Sequence, residues 1–585
     1  MSIWGIRDRI IQPVLANIPL FFISIILMGG FDYAYHQFIF HDIDTIGVLT
    51  AYSEMVFMAY LICLCSYLFR RIHLKILFYV VLFLIYALSC YLLYAYSTDI
   101  APNLLILLFE TNSKEISGFW KTYLFTPPML KSILILSCLI ILTIVGERYH
   151  KKISSRCSNT ICSWVFAVLV LYGFIGCCGV VSRYWSLGKC KIAYEAEVWK
   201  SNNTFYKQMP IPNLCYSLTA IYLAGQDIYY MIDATQNSLK EIEPITNDSL
   251  NIVLVIGESY NKYHAALYGY YLDTTPYMCQ EEKQGNLYAF THVKAPHNMT
   301  SIVLKNMFCC NDVHERERWH DYPFFPAIFK KAGYKVWFWD NQYQTNPNMH
   351  VNFTLNSILF NKKVKELAYT AYNEKCPPYD DELISDFEKH VSTKLGSHHL
   401  MIFHLNGQHR AVTDQFPQSK ENCVFSSKDI KDTLSFLDER RRQQLADYDN
   451  CTRYNDKVIR HIMDVVKNTN SILIYFSDHG EEIYDYRDFY GRSLLEVEEI
   501  TPELSRCQLE IPFIVWASET WQKKHPEEWQ NIGLAKDREF TIDNVCHLLF
   551  RLSGIKTQEY KSSRDLFSPD YKPQTKEINM VEVLK

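Results

Sequence analysis

"NIVLVIGESYNKYHAALYGYYLDTTPYM", residues 251–278, sets an unbroken apolar run at 252–256 directly against Gly257, Glu258 and Ser259. A run of aliphatic residues without polar alternation is the pattern of a strand covered on both faces, as in the parallel sheets of α/β proteins. In open sheets of that kind ligands gather just beyond the carboxyl ends of the strands. Glu258 stands at such an end. Taken alone, a glutamate there reads as a helix N-cap neighbour or a salt-bridge partner, so its meaning depends on what other strand ends deliver.

Strand-like runs alternate with helix-like ones through the rest of this region. Residues 334–339 follow a helical stretch at 326–332, 400–405 follow 380–395, 471–476 follow 447–467, and 511–516 come next. Such alternation predicts a layered βαβ-type sheet in one large α/β domain over 246–585. "SILIYFSDHGEE" (471–482) places Asp478 and His479 directly after a strand, and "LMIFHLNGQHR" (400–410) places His404 inside a strand and His409 just past it. Carboxylate and imidazole together suit Zn²⁺. His404, in an apolar run, reads as a core histidine. A nucleophile is supplied by "APHNMTSIVLKNMF" (295–308), where Thr300 and Ser301 open a helix whose N-terminus favours phosphate. Either hydroxyl is also an ordinary N-cap residue, and residue logic does not choose between them.

The first third of the chain is different in kind. The mean hydropathy of -0.09 averages a strongly apolar N-terminal part with a globular remainder. Five apolar segments, at about 14–30, 49–69, 74–96, 130–145 and 161–181, approach or reach the roughly 20 residues that cross a bilayer. Arg7 and Arg9 precede the first, Arg70, Arg71, His73 and Lys75 follow the second, and Arg148, Lys151, Lys152 and Arg156 lie before the fifth, whereas the loop at 35–47 carries Asp42 and Asp44 and neither Lys nor Arg. Basic loops stay cytoplasmic, so an odd number of spans puts everything beyond residue 185 outside, in a bacterium the periplasm. Ten of the 18 cysteines fall in that part, which suits a disulfide-permissive compartment without revealing any pairing. Between the two parts, residues 186–245 scatter tyrosines and tryptophan among polar groups, as an interfacial helical linker would. A net charge of -5 with 21% charged residues asks for no nucleic-acid partner.

Read in order, "VIGES", "LYGYYLDTTP", "PHNMTS", "AGYKVWFWDNQ", "HLNGQH", "SDHGEEIYDYRDFYGR" and "EIPFIVW" behind five spans resemble the phosphoethanolamine transferases of the bacterial inner membrane, in the alkaline phosphatase and sulfatase superfamily. The resemblance covers nearly the whole chain. It implies a five-span transmembrane domain (1–185), the linker (186–245) and a periplasmic domain with a central mixed sheet flanked by helices. It also implies a catalytic Zn²⁺ held by Glu258, Thr300, Asp478 and His479, with Thr300 as nucleophile and His409 assisting the substrate or leaving group. Where many members carry a second histidine after the Asp-His pair, this chain has Tyr490. "LLILLFETNSKEI" (104–116) resembles the segment that puts Glu110, Thr111 and Asn112 near the lipid donor. The implied reaction moves phosphoethanolamine from phosphatidylethanolamine to an envelope acceptor such as lipid A or lipopolysaccharide core. A phosphoglycerol transferase or hydrolase of the same superfamily, and a non-catalytic membrane sensor, are the alternatives. A sulfatase proper would need a Cys or Ser in a formylglycine motif, which "NMTSIVLK" lacks.

Overall fold

The computed structural model describes residues 3–574 except 40–44, 70, 97–99, 101, 103–104, 106–126, 158–159, 203–208, 246–248, 316–317, 343–357, 392–397, 410, 432–433 and 494–499. The chain divides into two compact units, Met1–Gly225 with Asn346–His350, and Gln226–Thr345 with Val351–Lys585.

The first unit is helical. Among the described residues, three helices are long and apolar enough to cross a membrane: Leu49–Leu68, Ile72–Leu92 and Trp164–Lys189. The segment expected as one span at 14–30 is instead two helices, Ile10–Ala16 and Ile18–Gly30, bent by 86°; counted as one span, they raise the number to four. The break falls at Asn17, two residues before Pro19, which has no N–H and crowds the preceding turn. Asn17 is fully buried, and its side-chain amide donates to Pro13 O at 2.9 Å. Leu130–Gly146 is a shorter apolar helix. Leu171, Ile175 and Leu134 point outward, as a lipid-facing surface requires. The interior instead encloses Glu54, paired with Arg183 at 2.7 Å. Helix Thr160–Lys189 passes so close to helix Thr45–Leu68 that a Cβ on Gly176 would lie 2.6 Å from Glu54 N, the close approach that small residues permit between membrane helices.

The second unit is built on a sheet. Its strands are β1 (Asn251–Gly257), β2 (Leu287–Ala289), β3 (Val293–Lys294), β4 (Lys335–Asp340), β5 (Ala371–Tyr372), β6 (His399–His404), β7 (Ser471–Ser477), β8 (Glu482–Ile483), β9 (Tyr490–Gly491), β10 (Phe513–Ala517) and β11 (Phe540–Thr541). Seven form one sheet in the order β2-β10-β7-β1-β6-β4-β5. β7, β1, β6, β4 and β5 run parallel, while β10 pairs antiparallel with both β7 and β2. The sheet is therefore mixed, as expected. Very short β2 and β5 close its edges and carry too few residues to show in a hydrophobic pattern.

The apolar run of β1 has its cause in two covered faces. Ile252, Leu254 and Ile256 face a core with Val303, Phe308, Ile328 and Leu548, from helices Thr300–Phe308, Phe325–Lys331 and Val545–Ser553. Val253 and Val255 face the other core, with Leu383, Phe387, Val458 and Ile462 from helices Asp380–Val391 and Glu439–Val466. Residues 252–256 are all 0% exposed, and each such side chain is worth about 1.5–3 kcal/mol when buried. A one-residue slip would exchange the two faces and repack both cores. The register that places Glu258 is thereby held by several side chains at once.

Candidate metal and nucleophile site

Four adjacent parallel strands, β7, β1, β6 and β4, end at one edge, and the chemistry-bearing residues follow them. Glu258 follows β1, Asp478 and His479 follow β7, His404 and the loop to His409 belong to β6, and Asp340 with Gln342 belong to β4. Ser259 takes a left-handed conformation (φ 56) just after Glu258, its amide donating to Asp478 Oδ1 at 3.2 Å. A non-glycine residue in that region is held there by its surroundings. Tyr448 provides one such hold, its hydroxyl donating to Ser259 O at 2.7 Å.

Glu258, Asp478 and His479 are each 0% exposed, and one ligand atom from each lies within 4.8 Å of the others. His479 Nδ1 lies 2.8 Å from the carbonyl of Gly480, which can only accept, so Nδ1 carries the proton and Nε2 the lone pair of the neutral ring. Yet Nε2 is 3.2 Å from Glu258 Oε1 and 3.1 Å from Asp478 Oδ2. Among the described residues Asp478 Oδ2 is buried without a hydrogen-bond partner. A lone pair facing two carboxylate oxygens repels them unless a cation lies between, so the donor set fits a divalent metal such as Zn²⁺. The electrostatics agree. Burial raises the Glu258 carboxyl, but His479, His409 and Arg492 outweigh it and hold the group well below the usual range. Asp478 is pushed well above it, by burial and then by the Glu258 charge. Burial and Arg492 lower His479, which favours the neutral ring a metal needs.

Thr300, the first residue of its helix, aims Oγ1 into this cluster, 3.0 Å from Glu258 Oε2 and 3.2 Å from His479 Nε2. Unlike its three neighbours it is only half-buried, and so can be reached from outside. Ser301, the other hydroxyl the sequence allowed, is 2% exposed and has no part in these contacts. His409 is exposed and lies near enough to Glu258 to help lower its carboxyl. His404 is a core residue, with Nδ1 2.5 Å from Asp340 Oδ2. Tyr490 packs edge-on against Tyr484 in the β8–β9 hairpin. Glu110, Thr111 and Asn112 lie outside the described residues.

Two contributors carry no sequence signal of their own. Arg492, two residues past Tyr490, donates from Nη1 to Asn298 O at 3.1 Å, and this brings the same nitrogen within 2.6 Å of His479 Nε2. Gln342, in the "DNQ" after β4, donates to Glu258 Oε2 at 3.0 Å and to Leu405 O at 2.9 Å. The His409 loop is held in turn by Asp380, whose carboxylate accepts from Asn406 N and Gly407 N, both at 3.0 Å. Gly407 has φ 49, and a Cβ there would lie 2.8 Å from Glu258 N. Gly407→Ala is therefore expected to cost about 1–3 kcal/mol, from the strained dihedral and the forced shift, and to weaken metal binding with it. Thermal melts of metal-loaded and stripped protein check this, and equal losses in both forms would show that Glu258 had not moved.

Comparison with known proteins covers the stretch that holds these residues. The family model described as Sulfatase matches residues 250–555, more than half of the chain. The chain belongs to the sulfatase family. The model described as Phosphoethanolamine transferase EptA/EptB matches residues 57–187, in the helical unit. Phosphoethanolamine transferase EptC of Escherichia coli K12 is 26% identical over 513 residues, covering 83% of this chain and 80% of that one. Phosphoethanolamine transferase EptA of Helicobacter pylori is 24% identical over 454 residues, covering 76% and 77%. Within the family, the chain is similar over both of its parts to proteins named phosphoethanolamine transferases. Among solved structures, the periplasmic domain of E. coli EptC in complex with Zn aligns at TM-score 0.49 and 26% identity, over 57% of this chain and 91% of that one. The integral membrane lipooligosaccharide transferase EptA of Neisseria meningitidis aligns at 0.47 and 16% identity, over 94% and 97%.

Proposed function

We propose that this chain moves phosphoethanolamine from phosphatidylethanolamine to an envelope acceptor such as lipid A or lipopolysaccharide core, through a phosphorylated Thr300. The observation that carries the reading is Thr300 Oγ1, within hydrogen-bond reach of both Glu258 and His479 and still accessible. Names of the relatives support the transferred group. Zn²⁺ held by Glu258, Asp478, His479 and Thr300 would supply Lewis-acid stabilisation of phosphoryl charge and favour the ionised threonine.

In the first half-reaction Thr300 Oγ1 forms a bond to phosphorus as the bond from phosphorus to the glycerol oxygen breaks. Diacylglycerol leaves with a proton from His409. In the second, an acceptor hydroxyl or phosphate oxygen attacks the phosphothreonine, His409 takes the acceptor's proton where there is one, and Thr300 is released. Arg492, at the edge of this cluster, would supply positive charge to the phosphoryl oxygens. The helical unit, read as five spans with the sheet unit in the periplasm and 186–245 along the bilayer surface, would keep the site where lipid headgroups are concentrated. Outward apolar side chains and the basic residues confined to alternate loops support that placement.

The test is headgroup transfer from vesicles of labelled phosphatidylethanolamine or phosphatidylglycerol to purified lipopolysaccharide. Transfer of ethanolamine phosphate alone is expected, and transfer of glycerol phosphate instead would replace the reading with the phosphoglycerol one. Arg492→Ala is expected to slow that transfer about 10²–10³-fold, with Arg492→Lys intermediate. An unchanged rate would remove Arg492 from the chemistry.

A further inference from the structure

Past the far end of the Thr300 helix the chain turns at Cys309 and runs through Asp312, Val313 and His314 toward the C-terminal part of the same unit, where the short 3-10 turn Ile542–Asn544 packs against that helix. One carboxylate oxygen of Asp312, one of Asp543 and a ring nitrogen of His314 lie within 4.8 Å of one another. Asp312 and Asp543 are 3% and 1% exposed, and the His314 side chain 4%.

The polar contacts leave a specific gap. Asp312 Oδ1 accepts from His314 N at 2.9 Å and lies 3.1 Å from His314 Nδ1. Asp312 Oδ2 accepts from Arg564 Nε at 2.7 Å and from Gln574 Nε2 at 2.6 Å. Asp543 Oδ2 accepts from Val313 N at 2.9 Å, while Asp543 Oδ1 is buried with no hydrogen-bond partner among the described residues. Two buried carboxylates here face one guanidinium and one imidazole, and a buried carboxylate oxygen without a donor is costly. A cavity of about 670 Å³, lined among others by His314, Thr541, Asn544, Arg564 and Gln574, reaches the cluster and offers an entry path.

We infer that Asp312, His314 and Asp543 form a second divalent-cation site, distinct from the one at Glu258, that ties the end of the Thr300 helix to the C-terminal turn. Its two carboxylates and one imidazole suit a first-row ion such as Zn²⁺ or Mn²⁺. Occupancy supplies the missing partner of Asp543 Oδ1 and cross-links two segments about 230 residues apart, so that its main effect is on stability and on the seating of the Thr300 helix.

The test uses the full-length chain in detergent with Glu258→Gln and Asp478→Asn, which remove two ligands of the first site. After stripping with chelator it is titrated with Zn²⁺. One bound zinc per chain and a raised melting temperature are expected. Adding Asp543→Asn or His314→Ala should weaken that binding at least 10-fold and abolish the shift. X-ray absorption of the zinc-loaded double variant should show oxygen and a single imidazole. Three results overturn the inference: no zinc retained by the folded double variant, zinc retained undiminished after both further substitutions, or sulfur ligation, which would move the ion to Cys310 and Cys546, two buried thiols in contact with each other and close in sequence to Asp312 and Asp543.

Discussion

Thr300→Ala is expected to leave the chain folded while lowering turnover at least ~10⁴-fold, as loss of a nucleophile does, and to abolish any phosphoethanolamine adduct. The structure explains why the two effects separate. Thr300 opens its helix without capping it, since the N-cap is Met299 and Thr300 Oγ1 instead faces Glu258 and His479. Removing the hydroxyl deletes these two contacts, at roughly 1 kcal/mol each or less. Gln342 still donates to the Glu258 oxygen that Thr300 leaves. Intact-mass and peptide mass spectrometry after incubation with phosphatidylethanolamine reads the adduct directly. Thr300→Ser, which keeps a hydroxyl in place, should retain it. An adduct persisting in Thr300→Ala, on Ser301 or elsewhere, would sink the assignment of the nucleophile.

Chelation is expected to abolish transfer, with zinc restoring it, and Glu258→Ala, Asp478→Ala and His479→Ala should each lower zinc content. Full occupancy in all three by elemental analysis, after allowance for the second site, would place the metal elsewhere. The stripped protein carries a further signature. Asp478 is raised well above its ordinary 3.8 in the folded state, so the folded chain holds that proton to higher pH than the unfolded chain does. The linkage then has one sign: stability attributable to this group is lost as pH rises from about 4 through the folded value. Asp478→Asn removes the unpaired buried charge and should stabilise the metal-free protein at neutral pH, by about 1–3 kcal/mol. Melting temperatures against pH, with and without zinc, check both statements. A metal-free Asp478→Asn variant less stable than its parent at pH 7 would mean the charge is compensated without an ion.

Much of this arrangement was legible in the chain itself, for physical reasons tied to particular elements. β1 and β7 are covered on both faces, so their residues had to be apolar throughout, and the sudden change to Glu258 or to Asp478 and His479 marks where each leaves the core. His404 also read correctly as a core residue, since it lies inside β6 and bonds to Asp340. The order of the motifs pointed to the transferase family, which the comparisons support.

Local pattern decided less where the outcome depended on distant segments. Thr300 and Ser301 are chemically alike and adjacent, and only the rotation of the helix against β1 and β7 turns one hydroxyl toward Glu258 and buries the other. Arg492 lies in a loop with no periodicity, and it becomes part of the site because the β8–β9 hairpin folds it back onto His479. The apolar count at 14–30 likewise described composition but not direction: Pro19 interrupts the helix, and the contacts that Asn17 makes at the 86° bend are with the distant Cys63, Ser66 and Tyr79. The sequence by itself determined the strands, their covered faces and the donor types at their ends, because burial is written into residue type along a single element. Only the tertiary structure decided which donors meet, because that depends on register and packing between segments as many as 220 residues apart, such as Glu258 and Asp478.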